Sequence, residues 1–194
     1  MLSWLRCLSV CIVLSLASVC ASAQVGVPLI HSDPKLEPAN VRELVNRYCR
    51  ADYGGARLNP ADWTKLQPLV AWRSNPEFPL FMVTSRFDVD PAVETEHNKY
   101  VVLAHYRILG KFDLAEGYST ESANLVRNVQ FTVTEVNGEW RITDAEPGYP
   151  HVSSYAAIQW LNQKLGGSND SLAKTVYQSA LDRLQPKKTS PAAQ

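Results

Sequence analysis

Gln130-Phe131-Thr132-Val133-Thr134-Glu135-Val136-Asn137-Gly138-Glu139-Trp140-Arg141-Ile142-Thr143-Asp144 is the stretch on which the fold turns. Asn137-Gly138 lies between two segments of alternating apolar and polar residues. A type I′ turn needs positive φ at both central residues, so Asn-Gly in this setting is the strongest short signal for a β-hairpin. Closing the turn pairs Glu135 with Trp140, Val133 with Ile142 and Phe131 with Asp144. Phe131, Val133, Trp140 and Ile142 then share a face that covers a core. Gln130, Thr132, Thr134, Arg141 and Thr143 form a polar opposite face.

Working back along the chain, the period of two continues. Tyr100 to Leu109 reads as a strand with Tyr100, Val102, Ala104, Tyr106 and Ile108 on one face and Val101, Leu103, His105, Arg107 and Leu109 on the other. Both faces carry apolar residues, which predicts a central strand, and Gly110 marks a bulge or bend. Leu80 to Val89 alternates as well, with Phe81, Val83, Ser85, Phe87 and Val89 on one side and Thr84, Arg86 and Asp88 on the other. Before it the period is helical. Val41, Leu44, Val45, Tyr48 and Cys49 form one face, with Asp52 the polar residue at the next place on the stripe. Asn40 and Glu43 have the spacing of a capping box, and Gly54-Gly55 ends the helix. Asn59-Pro60 opens a second helix that Pro68 shortens, with Trp63, Leu66, Leu69 and Val70 on its apolar side. Past the hairpin, Tyr155, Ile158, Leu161 and Leu165 form a helical stripe capped by Ser153 or Ser154. Ala173, Val176, Tyr177, Ala180, Leu181 and Leu184 form another from about Asp170.

The chain's 194 residues are 45% hydrophobic and 20% charged, with 12 Pro, 9 Gly and no net charge, which excludes collagen-like, disulfide-dense and charge-driven disordered classes. Met1–Arg6 with one positive charge, the apolar run Cys7–Val19 and the small residues Ala21-Ser22-Ala23 have the three-part plan of a secretory signal cleaved after Ala23. The run is shorter than the roughly 20 residues of a membrane span. The expected localisation is therefore secreted or periplasmic. Removing the first 23 of 194 residues leaves 171 and a single cysteine, Cys49, so no internal disulfide is expected. Cys49 lies on the apolar helix face, as a buried inert thiol does. Arg6 leaves too, and 18 basic against 19 acidic residues give no reason to expect nucleic acid or an anionic membrane as partner. The expected organisation is signal 1–23, linker 24–37, one domain over 38–185 and a flexible tail 186–194. Within the domain, 38–150 is the core and 153–185 a helical extension.

Helices, then antiparallel strands, then helices make an α+β plan: N-terminal helices packed on a strongly curved, cone-shaped antiparallel sheet, plus two C-terminal helices. The Val41–Tyr53 helix with its Gly54-Gly55 end, the long strand Tyr100–Leu109 and the hairpin at Asn137-Gly138-Glu139-Trp140-Arg141-Ile142 together resemble the nuclear-transport-factor-2-like (polyketide-cyclase-like, SnoaL-like) superfamily. The resemblance implies a cone enclosing an apolar pocket. It also implies a function drawn from isomerases, dehydratases, cyclases and plain binding domains. Two features depart from it: Gly54-Gly55-Ala56-Arg57 after the first helix, and the added helices over 153–185.

Among candidate catalytic residues, Asp144 stands opposite Phe131 in the expected register. A carboxylate at the edge of an apolar cavity gains proton affinity and serves as acid or base. If the sheet has ended there, Asp144 faces water instead. Tyr106 and Tyr100 point to the inner strand face and, with Tyr48, Phe131 and Trp140, are candidate ligand contacts. The plainer reading makes them core. His105 is a candidate base if Asp88 is in reach, and otherwise part of a structural ion pair. His151, in the Pro150–Ser153 loop before a helix, could line a pocket mouth, but the plainer expectation is that it is solvated. No metal or cofactor is expected. Glu94, Glu96 and His97 cluster without ligand spacing, and Pro91 and Ala92 interrupt the calcium-loop-like Asp88-x-Asp90. No nucleophile elbow or phosphate loop occurs. Asn169-Asp170-Ser171 matches a glycosylation acceptor. The leading expectation is an exported, non-catalytic domain binding a small apolar ligand or a protein partner. The alternatives are an isomerase, dehydratase or cyclase, and a module self-associating through the sheet or the C-terminal helices.

Overall fold

A computed structural model describes residues 40–122 and 124–185; the expected signal, linker and tail lie outside the described residues. Helix α1 spans Val41–Tyr53. Two short 3-10 turns, Pro60–Lys65 and Gln67–Leu69, follow it. The strands are β1 (Leu80–Val89), β2 (Val93–Glu96), β3 (Lys99–Asp113), β4 (Gly117–Thr120), β5 (Val126–Val136), β6 (Glu139–Glu146) and β7 (His151–Ser153). Helices α2 (Ser154–Gly167) and α3 (Ser171–Leu184) close the chain. The sheet runs β6-β5-β3-β1-β7, with β2 and β4 also on β3. This is the expected α+β class, with helices at both ends of a strongly curved sheet. It differs from the expected antiparallel sheet in one strand: β7 runs parallel to β1, pairing Met82 with His151 and Thr84 with Ser153.

The expected central strand is β3, paired along one edge by β1 and β2 and along the other by β5 and β4. The hairpin turn has Asn137 at φ 54° and Gly138 at φ 82°, as a type I′ turn requires. Glu135 faces Trp140 and Val133 faces Ile142. A bulge between Thr132 and Val133 then moves the register, so Phe131 pairs with Ala145 and Asp144 with Thr132.

Bulges also decide β1. Its register with β3 shifts on either side of Thr84. Phe81 and Val83 therefore join a different core from Met82, Phe87 and Val89. The single apolar face expected for this strand is thus two faces joined by an irregularity. Ser85, the extra residue, presents its carbonyl to the Tyr53 hydroxyl at 2.8 Å, which satisfies an acceptor left out of the ladder. Gly110 lies at the matching place in β3. A Cβ there would stand 2.3 Å from Tyr118 Oη and 2.5 Å from Ser119 O, so only glycine lets β4 approach.

Two cores result. The first packs Val41, Val45, Tyr48 and Cys49 of α1 against Val102, Ala104, Tyr106, Phe131, Val133 and Ile142. The second packs Phe81, Val83, Phe112 and Tyr118 against Ala156, Ala157, Trp160 and Leu161 of α2 and Ala180 and Leu181 of α3. Phe81 stacks on Phe112 at 5.1 Å between ring centroids, and Trp160 meets Phe81 edge-on at 5.4 Å. The buried side of α2 is thus turned from the expected stripe, and Tyr155 is 72% exposed. The expected α3 face is the one that packs.

End signals were mixed. Asn40 makes no side-chain cap, so the capping box does not form; Glu43 instead accepts from Asn46. Ser153, Asp170 and Asn59 do cap their helices or turns. The segment expected as a second helix is 3-10 throughout. It ends by laying Val70 beside Ile142, where Ala71 N donates to Ile142 O at 2.8 Å. A free edge of β6 competes there with the helix ladder for backbone partners.

Candidate functional site

Helix α1 carries its apolar stripe to the last turn, and the stripe ends on a carboxylate. Asp52 is only 2% exposed. Its Oδ2 accepts from the backbone N–H of His151 at 2.9 Å, tying α1 to β7. Two residues past the Gly54-Gly55 end of the helix, Arg57 is also buried. Its Nε donates to Asn75 Oδ1 at 3.2 Å, Asn75 Nδ2 donates back to Arg57 O at 2.7 Å, and the guanidinium lies 5.8 Å from the Phe78 ring centroid. The guanidinium also faces the Tyr48 hydroxyl. His151, brought inside by β7, stacks on Tyr106 at 4.3 Å and lies 5.1 Å from the Tyr149 ring.

The electrostatics follow from burial. Loss of water pushes the Asp52 carboxyl up to about 6, against the attraction of Arg57 and the His151 N–H bond. Burial, reinforced by the Arg57 charge, pushes the His151 imidazole down to about 3. The ring is therefore neutral. The ring also interacts with the Tyr149 backbone, and its Nε2 has no hydrogen-bond partner. Burial raises Tyr48 as well, so its hydroxyl stays protonated.

Five buried polar atoms in this region have no hydrogen-bond partner: Asp52 Oδ1, Arg57 Nη2, His151 Nε2 and the indole Nε1 of Trp63 and of Trp72. Trp72 meets Tyr48 edge-on at 6.4 Å. Each such atom costs about 1–3 kcal/mol, and native folds carry few of them. Asp52 and Arg57 attract one another, yet neither Asp52 Oδ1 nor Arg57 Nη2 has a hydrogen-bond partner. Arg57 and Trp63 also line an open cleft of about 770 Å³, whose far wall is Phe78, Leu114, Trp160 and Tyr177. That volume is in the range of small-molecule sites. The cleft offers the Arg57 guanidinium, the Trp63 indole and an aromatic wall; Asp52, Trp72 and His151 do not line it.

The residues singled out from the sequence are placed differently. Tyr48, Tyr100, Tyr106 and Phe131 are buried in the first core and Trp140 is half-buried beside it. Tyr48 meets Phe131 edge-on at 5.4 Å, and Tyr100 meets Trp140 at 5.4 Å. The Tyr106 hydroxyl bonds to the Cys49 thiol, and burial pushes that thiol up to about 12. Asp144 is exposed, because the bulge at Thr132 turns it away from Phe131; its Oδ1 accepts from Ala145 N. His105 sits on the opposite face of β3 from Tyr106. Its ring nitrogens lie 2.8 Å from Asn128 Oδ1 and 2.8 Å from Asp90 Oδ2, so Asp90 and not Asp88 is its partner. His151, expected in solvent, is 1% exposed. Asp144, Tyr106 and His105 therefore do not form one site. The residues that do gather are Asp52, Arg57, Trp63, Trp72 and His151. Of these only Asp52 left a signal, as the single carboxylate on an apolar helix face. Among the described residues no three His, Cys, Asp or Glu side chains are arranged to hold a metal ion.

Compared with protein families, characterised proteins and solved structures, the chain finds no match in any of the three.

Proposed function

We propose that this chain is an exported domain that binds a small molecule at the Arg57–Trp63 end of its core. The observation that carries the reading is a cleft of about 770 Å³ lined by Arg57 and Trp63, each of which has a buried polar atom without a hydrogen-bond partner. Side chains of Val45, Cys49, Tyr106 and Phe131 occupy the space between α1 and the sheet. Ligand room therefore lies at this end of the core and not along the cone axis. The ligand brings a polar group to Arg57 and the Trp63 indole N–H, and sets its apolar part against Phe78 and Trp160. This shifts the expected ligand from purely apolar to amphiphilic. Fragment screening on the full folded chain, read on indole N–H resonances, tests it. Hits should move Trp63 and Trp160 and leave Trp140 in place. A screen without hits, or hits that move only Trp140, removes the reading.

A second reading keeps the same pocket and adds turnover, of the isomerase, dehydratase or cyclase kind. What favours it is Asp52, which does not line the cleft but lies within the field of Arg57, and whose proton affinity near pH 6 suits proton transfer at neutral pH. A ligand returned chemically changed by the native chain and unchanged by Asp52→Asn would select it.

A further inference from the structure

The site described above has a directional chemistry that narrows its ligand. Arg57 is 4% exposed and has Nη2 unpartnered. Its Nε is held by Asn75, and Phe78 lies beside the guanidinium. The guanidinium is thus fixed in place with one N–H edge unused. The Trp63 Nε1–H is a second unused donor, and Trp63 lines the same cleft. Buried Arg beside an indole N–H gives two donors, one of them charged, and that suits a planar oxyanion best. The rim adds to this. Arg73 and Lys164 line the cleft, with Glu77 the single acidic group lining it. Lys164 Nζ lies 5.4 Å from the Trp160 ring centroid, which keeps its charge at the mouth. The other walls are flat and apolar: Phe78, Trp160 and Tyr177, with Leu58 at their base. Trp160, Lys164 and Tyr177 belong to the C-terminal helices, so the helical extension contributes to the cleft.

We propose that the cleft binds a flat organic carboxylate, with the carboxylate on Arg57 and Trp63 and the ring system between Phe78 and Trp160. This assignment rests on the small-molecule reading above and names its ligand class. Asn75 acts as a positioning residue, because it binds both the side chain and the backbone of Arg57. Arg73 and Lys164 steer the anion, and Glu77 opposes it.

Calorimetric titration of the full chain with naphthalene-2-carboxylate and with its neutral isostere naphthalene-2-carboxamide tests the assignment. The carboxylate should bind at least tenfold more tightly than the amide. Arg73→Gln, at an exposed rim position, should weaken the carboxylate several-fold, and Glu77→Gln should tighten it by a similar factor. Neither should change the amide. Arg57→Met should cost the carboxylate tenfold or more and leave the amide nearly unchanged. The rim variants keep the test decisive if Arg57→Met fails to fold. Equal affinity for carboxylate and amide, both lost in Ser74→Trp at the cleft wall, overturns the anion assignment and leaves the small-molecule site standing. Carboxylate binding indifferent to Arg73→Gln and Glu77→Gln, or no binding of either probe, overturns the assignment. In the last case the fragment screen decides whether the site itself survives.

Discussion

Asp52 and His151 are two buried groups pushed in opposite directions, and that predicts an unusual stability profile. The Asp52 carboxyl rises from 3.8 to about 6 on folding. The folded chain therefore holds this proton more tightly than the unfolded chain. Its stabilising contribution is complete below pH 3.8 and is lost as pH rises through about 6. The His151 ring falls from 6.5 to about 3. Here the unfolded chain binds the proton first, so stability is lost as pH falls from 6.5 towards 3. Between about pH 4 and 6 the folded chain carries a proton on Asp52 and the unfolded chain carries one on His151. The proton counts match and the two slopes cancel. Each slope alone is worth about 1.4 kcal/mol per pH unit, or about 3 kcal/mol across that window. Asp52→Asn removes one slope, and the variant should lose about 3 kcal/mol relative to the native chain between pH 6 and pH 4. His151→Phe keeps a ring on Tyr106 and removes the other slope, so this variant should gain about 3 kcal/mol over the same interval. Urea unfolding at pH 4, 5 and 6, followed by tryptophan fluorescence, measures the differences. Exposed carboxylates titrate alike in all three chains and drop out. If both variants track the native profile within about 1 kcal/mol, the buried, oppositely shifted pair does not exist as described.

Three further expectations follow from other parts of the molecule. Gly110→Ala should lower stability by about 1–3 kcal/mol, measured as a shift of the denaturant midpoint, because the added Cβ meets the backbone oxygen of Ser119 at 2.5 Å. An unchanged midpoint would mean that β4 is not held where it is. Cys49 should resist a thiol reagent at pH 8 in the native chain and react fully in denaturant, since it is buried with its thiol pushed up to about 12. Rapid native labelling contradicts that packing. The exported protein should begin at Gln24 when sequenced from its N-terminus, and a chain beginning at Met1 would remove the secretory reading.

Local chemistry was readable wherever neighbours in the chain decide the outcome. The Asn137-Gly138 turn, the alternation of β3 and the stripe of α1 need only residues a few positions apart. The bulges were not readable, because a bulge is a mismatch between two strands and neither strand encodes it alone. One extra residue in β6, opposite the Thr132–Val133 step, moved Asp144 from the core face to solvent, and another at Ser85 divided β1 between two cores. His151 was misjudged for a related reason. His151 and Val152, in a segment that follows Pro150, become buried because β1 offers them a parallel edge some 70 positions away in sequence.

The order of elements, the class of fold and the central place of β3 were therefore written in the chain itself, since side-chain periodicity and turn stereochemistry act locally. The site was decided by tertiary structure. Asp52, Arg57, Trp63, Trp72 and His151 come from a helix end, two turns and an edge strand, and no spacing links them. Closing the sheet on α1 strips water from all five, and burial is what turns ordinary polar residues into unpaired donors, unpaired acceptors and displaced proton affinities.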